Sequence, residues 1–308
     1  MDTAPPQPTG TPKRVLLIVN EHSRRGRDLA AEALAGFEQA EISVDRHAST
    51  SREHVSELIR SAKPDIDAVV VGGGDGTLNA AAPGLLERRL RFGILPFGTA
   101  NDLARTLSIP VGIADAIAII AQGRTRMIDV GDVNGHPYFN VASLGLGVDL
   151  TRALTRDAKR RWGPFGYAIA GLRVINRLQA FHADITIGGQ THVSRTIHLA
   201  VGNGRHYGGG MTVHEHSRVD DHCLDVYSLE VENIWRLLRL LPALKAGKTQ
   251  DWHEIKTLEG QEITVRTHRP RSVNADGEIV TKTPATFKVL PGAVEVFAPP
   301  DDGSAPPA

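Results

Sequence analysis

The segment Val69 to Asn79, VVVGGGDGTLN, runs an apolar stretch into four glycines and one acid, Asp75, over the five positions from Gly72 to Gly76. Glycines let a ligand approach the backbone closely and tolerate φ above zero. Backbone N–H groups at the start of a following helix can then hold phosphate oxygens. The spacing is not the dinucleotide fingerprint, and no Lys-Ser or Lys-Thr follows as in a P-loop. A bare acid repels phosphate unless Mg2+, or a hydrogen bond to a neutral group, removes the conflict. The plainer readings are an ordinary turn for the glycines and a cap of the next helix for Asp75. A second stretch, PFGTAND from Pro96 to Asp102, again supplies glycine, a Thr hydroxyl and a helix start carrying Asn101 and Asp102. Loops at the carboxyl ends of neighbouring parallel strands line one crevice, so the two stretches point to one anionic ligand.

The elements that must position these loops follow from periodicity. RVLLIVN (Arg14–Asn20), EISVDRH and DAVVVGGG read as strands without polar alternation. Helical stripes separate them, one through Leu29, Ala33, Leu34 and Phe37, another through Val55, Leu58 and Ile59. This β-α-β-α-β order predicts a parallel sheet covered on both faces. Past the glycine loop, Leu78, Ala81, Ala82, Leu85 and Leu86 share a helical stripe, in which Pro83 must kink the helix or move its start. RFGILPFG is a further strand, and IADAIAIIAQG a helix stopped at Gly123.

Near Arg126 the pattern turns to strands and Gly-rich turns, beginning with a hairpin at Asn134-Gly135. The fold class expected is α/β plus all-β. A Rossmann-like three-layer α/β domain with a parallel sheet precedes a β-rich, sandwich-like domain, with the active-site cleft between them. The boundaries are a disordered tail at 1–12, the α/β domain at 13–133 with strand 293–299 returning to it, the β-rich domain at 134–292, and a tail at 300–308. Two segments in the β-rich half, WGPFGYAIAGLRVINRL and NIWRLLRLLPALKAGK, read as helices. The second sets Trp235 and leucines among Arg236, Arg239, Lys245 and Lys248, which suits either a membrane surface or a packed helix with snorkelling basic groups.

Composition excludes several classes of function. Lys+Arg and Asp+Glu balance at 35 each in 308 residues, so no overall charge draws nucleic acid. The single cysteine, Cys223, allows no internal disulfide and fits a reducing cytoplasm. The N-terminal MDTAPPQPTGTP lacks the basic start and apolar run of a signal peptide. The most apolar run is too short to span a bilayer, so membrane contact is expected to be peripheral. His214, Glu215 and His216 lack the helical i, i+4 spacing of a zinc site.

GGGDGTLN together with GILPFGTANDLARTLSIP resembles the catalytic domain of the diacylglycerol kinase family, nearest its bacterial lipid kinase branch, which also resembles sphingosine and ceramide kinases. The likeness continues through IDVGDVNG, FNVASLGLG, VGNGRHYGGGM, SRVDDHCLDV, NADGE and FKVLPGAVEV. It implies an ATP- and Mg2+-dependent kinase of lipid metabolism acting on a hydroxyl of a diacylglycerol-like membrane lipid. ATP would lie over Gly73, Gly74, Asp75, Gly76, Thr77, Leu78 and Asn79, with Gly98, Thr99, Asn101 and Asp102 from the second loop. Asn20, Ser23 and Gly26 match the family's first loop, while Glu21 and Arg24 do not; Arg24 and Arg25 either meet phosphates or are solvated. A further contact comes from ASTS, at Ser49 or Thr50, with Thr50 taken as the site residue. The general base implied is Glu278 of the Asp-Gly-Glu motif, set by a hairpin turning at Asp276-Gly277. Asp129 would order Mg2+ and water, or else is an ordinary strand-end residue.

The same resemblance implies a structural Mg2+ held by the Asp221 carboxylate and the carbonyls of Arg218 and Cys223. Two further positions depart from the family. Ala80 replaces an acid, and His222 stands where a glycine is usual, a cost if that position needs φ above zero. The alternatives are a kinase of NAD type and a non-catalytic lipid- or nucleotide-binding protein. The GTANDLAR helix and the Asp-Gly-Glu hairpin oppose the first, and the intact Asp75, Thr99, Asn101, Asp102 and Glu278 oppose the second. Nothing in the sequence sets an oligomeric state, and a homodimer stays open.

Overall fold

A computed structural model of the chain describes residues 10–20, 24–145, 180–204, 206–207, 211–212, 218–230 and 255–300. They form two compact units. The first is Met1–Val130 with Gly208–Gly210 and Pro291–Ala308, and the second Gly131–Tyr207 with Met211–Leu290.

The first unit opens β1 (Arg14–Val19), α1 (Arg24–Gln39), β2 (Ser43–Ala48), α2 (Arg52–Arg60) and β3 (Ala68–Gly73). It continues α3 (Asp75–Asn79), α4 (Ala82–Arg88), β4 (Arg91–Pro96), α5 (Asp102–Thr106) and α6 (Ile113–Gln122). The strands lie in the order β2-β1-β3-β4 and are all parallel. The end of the last strand, β18 (Ala285–Phe297), adds beside β4 in parallel, with Val296 opposite Phe92. Every residue of β3 is buried, as a strand covered on both faces requires. α1 packs on α6 and α2 on α4. Both helix pairs meet at glycine. A Cβ on Gly36 would stand 2.6 Å from Ile117 Cδ1, and one on Gly84 2.9 Å from Ile59 Cβ.

The order of the strands locates the functional end. The chain leaves β1 to reach β2 on one side, then crosses to β3 on the other. The switch point is therefore at the carboxyl ends of β1 and β3, where open α/β sheets take their ligands. The apolar stripe through Leu78 and Leu85 forms two short helices rather than one. Pro83 occupies the first turn of α4, where its missing N–H costs nothing.

The second unit is almost wholly strand among the described residues. β5 (Thr125–Val133), which enters it from the first unit, and β6 (His136–Tyr138) form the expected hairpin. Asn134 and Gly135 both have positive φ, at 52° and 85°, the signature of a type I′ turn. There follow β7 (Val141–Gly145), β8 (Phe181–Ile187), β9 (Gln190–Thr196), β10 (His198–Gly202), β11 (His206–Tyr207) and β12 (Met211–Thr212). The remainder are β13 (Leu224–Leu229), β14 (Ile255–Gly260), β15 (Glu262–Thr267), β16 (Ser272–Ala275) and β17 (Glu278–Lys282). One antiparallel sheet runs β14-β13-β10-β7-β16-β17, and β15 pairs with β8 and with the start of β18 in another. Leu144, Val201 and Val226 from the first sheet bury against Ile185, Val265 and Phe287 from the second, making a β sandwich.

No helix among the described residues is long and apolar enough to cross a membrane. The segments 162–178 and 233–248, expected to be helical, lie outside the described residues, as do Glu21, Ser23, His214, Glu215 and His216.

Candidate functional site

The glycine loop is built by exclusion of side chains, not by unusual backbone angles. Gly72, Gly73, Gly74 and Gly76 all avoid positive φ, so of the two uses of glycine that the sequence suggests the left-handed one is not taken up. What they require is space. A Cβ on Gly72 would stand 2.6 Å from the Phe97 ring, and one on Gly73 2.5 Å from Thr77 Cβ. Ordinary carbon contacts lie near 3.5–4.0 Å. A Cβ on Gly98 would stand 2.6 Å from the Gly74 Cα, so the two glycine-bearing loops meet backbone against backbone.

Two polar side chains lock that meeting. Asn101 sits in the left-handed region at φ 51°, a conformation asparagine tolerates. Its Oδ1 accepts the Gly98 N–H at 2.9 Å and its Nδ2 donates to the Gly98 carbonyl at 3.0 Å. Asn101 is thus turned away from the helix it precedes. Asp75 caps that helix instead: its Oδ1 accepts the Leu103 N–H of α5 at 3.2 Å. Asp75 does cap a helix, then, and the helix is α5, the second after it, while the N-cap position of α3 is Gly74, which has no side chain to offer.

Burial pushes the Asp75 carboxyl above its ordinary value, and the neighbouring Asp102 pushes it the same way, against the pull of the Leu103 N–H. Asp102 is itself buried. An acid held out of water beside another acid is what a divalent cation relieves. Mg2+ characteristically takes one or two carboxylates and completes its shell with water and phosphate oxygens. The residues therefore fit Mg2+ bound with a nucleotide. Among the described residues no three His, Cys, Asp or Glu side chains gather as a self-sufficient metal cage.

Around the loops, Asn20 Nδ2 reaches Thr77 Oγ1 at 3.5 Å across the switch point. Thr99 is exposed, while Leu78, Asn79 and Ala80 are buried. Asn79 Oδ1 has no partner. Ser49 is buried with its hydroxyl donating to the Val19 carbonyl at 3.4 Å, and the exposed Thr50 hydroxyl lies 2.9 Å from His54 Nδ1. Sequence reasoning missed Arg52, the first residue of α2. Its Nη1 is 3.3 Å from where a Gly76 Cβ would be. The available signal was a cation directly after the Ser51 cap, at the carboxyl edge of the sheet. Asp129 lies within β5 rather than at a strand end, buried, with Oδ1 accepting the Gly292 N–H at 2.7 Å.

In the second unit, Asp276 and Gly277 turn between β16 and β17 with φ 43° and 94°, a type I′ hairpin as expected. Asp276, assigned no contact from the sequence, anchors the hairpin. Its carboxylate accepts the N–H groups of Phe139 at 2.8 Å, Asn140 at 3.2 Å and Val141 at 3.0 Å. Glu278 follows the turn and is exposed. In the loop before β13, Asp221 Oδ2 accepts the Arg218 N–H at 3.0 Å and Oδ1 the Cys223 N–H at 3.0 Å. His222 has φ 60°, so the position does require the conformation that glycine adopts at least cost.

Comparison with known proteins matches this architecture piece by piece. Residues 14–133 match the diacylglycerol kinase catalytic domain, and residues 142–298 the YegS C-terminal NAD kinase beta sandwich-like domain. The chain is 32% identical over 302 residues to a Pseudomonas aeruginosa protein named "Probable lipid kinase YegS-like", covering 93% of this chain and 94% of that one. It is 26% identical over 300 residues to a "Diacylglycerol kinase" of Staphylococcus saprophyticus, covering 94% and 96%. A crystal structure from Bacillus anthracis str. Sterne, provisionally named a diacylglycerol kinase, superposes with TM-score 0.80 at 25% identity, covering 95% of this chain and 97% of that one.

Proposed function

This chain belongs to the diacylglycerol kinase catalytic-domain family, and from that premise we propose that it transfers the γ-phosphoryl group of ATP to a hydroxyl of a diacylglycerol-like membrane lipid. The observation that carries the reading is the closure of the two glycine loops at the carboxyl ends of β3 and β4. They leave backbone, the Thr77 and Thr99 hydroxyls and an ion-seeking acid where a phosphate chain can lie.

In this reading Gly73, Gly74, Gly76, Thr77, Leu78 and Asn79 form the floor under ATP. Gly98, Thr99, Asn101 and Asp102 form one wall, with Asn20 and Thr50 on the other side. Asp75 and Asp129 attract Mg2+, which when bound neutralises charge on the transferring phosphoryl group. The Glu278 carboxylate takes the proton of the lipid hydroxyl as that oxygen attacks the γ-phosphorus. The bond from phosphorus to the β-phosphate oxygen breaks, and ADP leaves. A carboxylate at the tip of an exposed turn suits this role, because the base need only accept a proton from a positioned hydroxyl. Asp221, with the carbonyls of Arg218 and Cys223, is the proposed second Mg2+ site, stabilising its loop. Docking to the bilayer is peripheral in this account.

The test is a panel of acceptors with γ-labelled ATP: diacylglycerol, phosphatidylglycerol, a sphingoid base, an isoprenoid alcohol and NAD. Label entering one of the lipids supports the proposal. Label entering NAD alone, or nucleotide binding with no transfer to any acceptor, refutes it.

A further inference from the structure

We propose that Arg52 is a nucleotide-positioning residue whose guanidinium binds the phosphate chain of ATP, an inference that rests on the kinase reading. In the β2-β1-β3-β4 order the connection from β2 to α2 opens at the same carboxyl edge as the glycine loop. Ser51 caps α2 by accepting the His54 N–H at 3.2 Å, which holds Arg52 in the first helical turn. From there the side chain extends over the loop. A Cβ built on Gly76 meets Arg52 Nη1 at 3.3 Å and, its two chain neighbours aside, no other side chain within 4 Å. The face of the loop at Gly76 is therefore covered by a cation.

The chemistry favours phosphate under that cation. The loops already bring together Asp75 and Asp102, the one partly and the other almost wholly withdrawn from water, and the phosphate chain adds further negative charge. Arg52 places a permanent positive charge beside Gly76, the residue that follows Asp75 in the loop. A guanidinium holds phosphate oxygens bidentately and cannot lose its proton. Glycine at position 76 then acquires a second reason: a Cβ there would crowd the guanidinium and make it shift by a few tenths of an ångström.

The experiment measures equilibrium binding of Mg-ATP, ADP, AMP and adenosine to wild type, R52Q and R52K, without lipid, alongside melting temperature. Loss of a charge-assisted contact predicts that R52Q binds ATP about ten- to a hundredfold more weakly. Adenosine binding and melting temperature should stay near wild type, and the salt dependence of ATP binding should flatten. R52K keeps the charge but not the fork and should fall between. If R52Q melts early, R52K decides the matter: ATP affinity equal to wild type overturns the proposal. It is equally overturned if R52Q binds ATP as wild type does, or loses adenosine and ATP alike. Wild-type protein that binds no ATP sinks the kinase reading together with this inference, whereas wild-type binding unchanged in both variants sinks this inference alone.

Discussion

Replacing Asp276 with asparagine isolates one charge in the Asp-Gly-Glu hairpin. Asparagine tolerates the left-handed φ of 43° at this position, so the turn itself is not penalised. What changes is the acceptor for three backbone N–H groups, those of Phe139, Asn140 and Val141, the first two in buried residues. An amide offers one oxygen, and its NH2 faces at least one of those donors. A buried N–H left unpaired costs about 1–3 kcal/mol, and each surviving bond weakens from charge-assisted to neutral by roughly 1 kcal/mol. With one N–H unpaired and two bonds weakened, the total for D276N is about 3–5 kcal/mol. D276A removes every acceptor and adds the strain of alanine at positive φ, so it costs more. With a urea slope of about 2 kcal/mol/M, D276N should lower the unfolding midpoint of the second unit by about 1.5–2.5 M. Circular dichroism and exchange of the 139–141 amides should report the same loss. A midpoint within about 0.3 M of wild type, with those amides still protected, would show that the carboxylate does not anchor the hairpin.

Three further outcomes follow from the same geometry. G98A drives a methyl to 2.6 Å from the Gly74 Cα, so the loops must part at a cost of about 1–3 kcal/mol, with ATP affinity falling; unchanged affinity and melting temperature would refute the contact. Because burial raises the folded-state pKa of Asp75 above the usual carboxylate range, its contribution to stability is present at acid pH, where the carboxyl is protonated, and is lost as pH rises through the folded value. D75N should therefore raise the melting temperature of the nucleotide-free protein at pH 7 and flatten its acid-side slope, while abolishing turnover; a lower melting temperature at pH 7 would contradict this. H222G relieves a left-handed histidine at φ 60° and should stabilise by about 0.5–1 kcal/mol, read as a higher urea midpoint; no gain would mean the strain is absorbed elsewhere.

What the sequence made legible was local. The apolar run into Gly72, the Asn134-Gly135 and Asp276-Gly277 turns and the helix start displaced by Pro83 are each decided within a few residues, where sterics dominate. The membership of both loops in one crevice was also readable, because strand order constrains it. Contacts spanning many residues were not. The plainer reading of Asp75 was a cap of the helix next in sequence, and only the fold brings Leu103, 28 residues on, to its carboxylate. Asp276 looked like a turn former, and the N–H groups it gathers come from more than 130 residues earlier. The glycines looked like residues of unusual φ, yet their demand comes from Phe97, Thr77 and the partner loop. Arg52 carried no motif at all, and its meaning lies in reaching over Gly76.

The most direct test of the central claim compares wild type and E278Q in phosphoryl transfer from γ-labelled ATP to diacylglycerol vesicles at saturating nucleotide. The account predicts labelled lipid from the wild type and a turnover about a hundred- to ten-thousandfold lower in E278Q, with ATP affinity unchanged in the variant. Equal turnover in the two proteins would remove Glu278 as the base. A wild type that binds Mg-ATP yet labels no lipid would contradict the account as a whole.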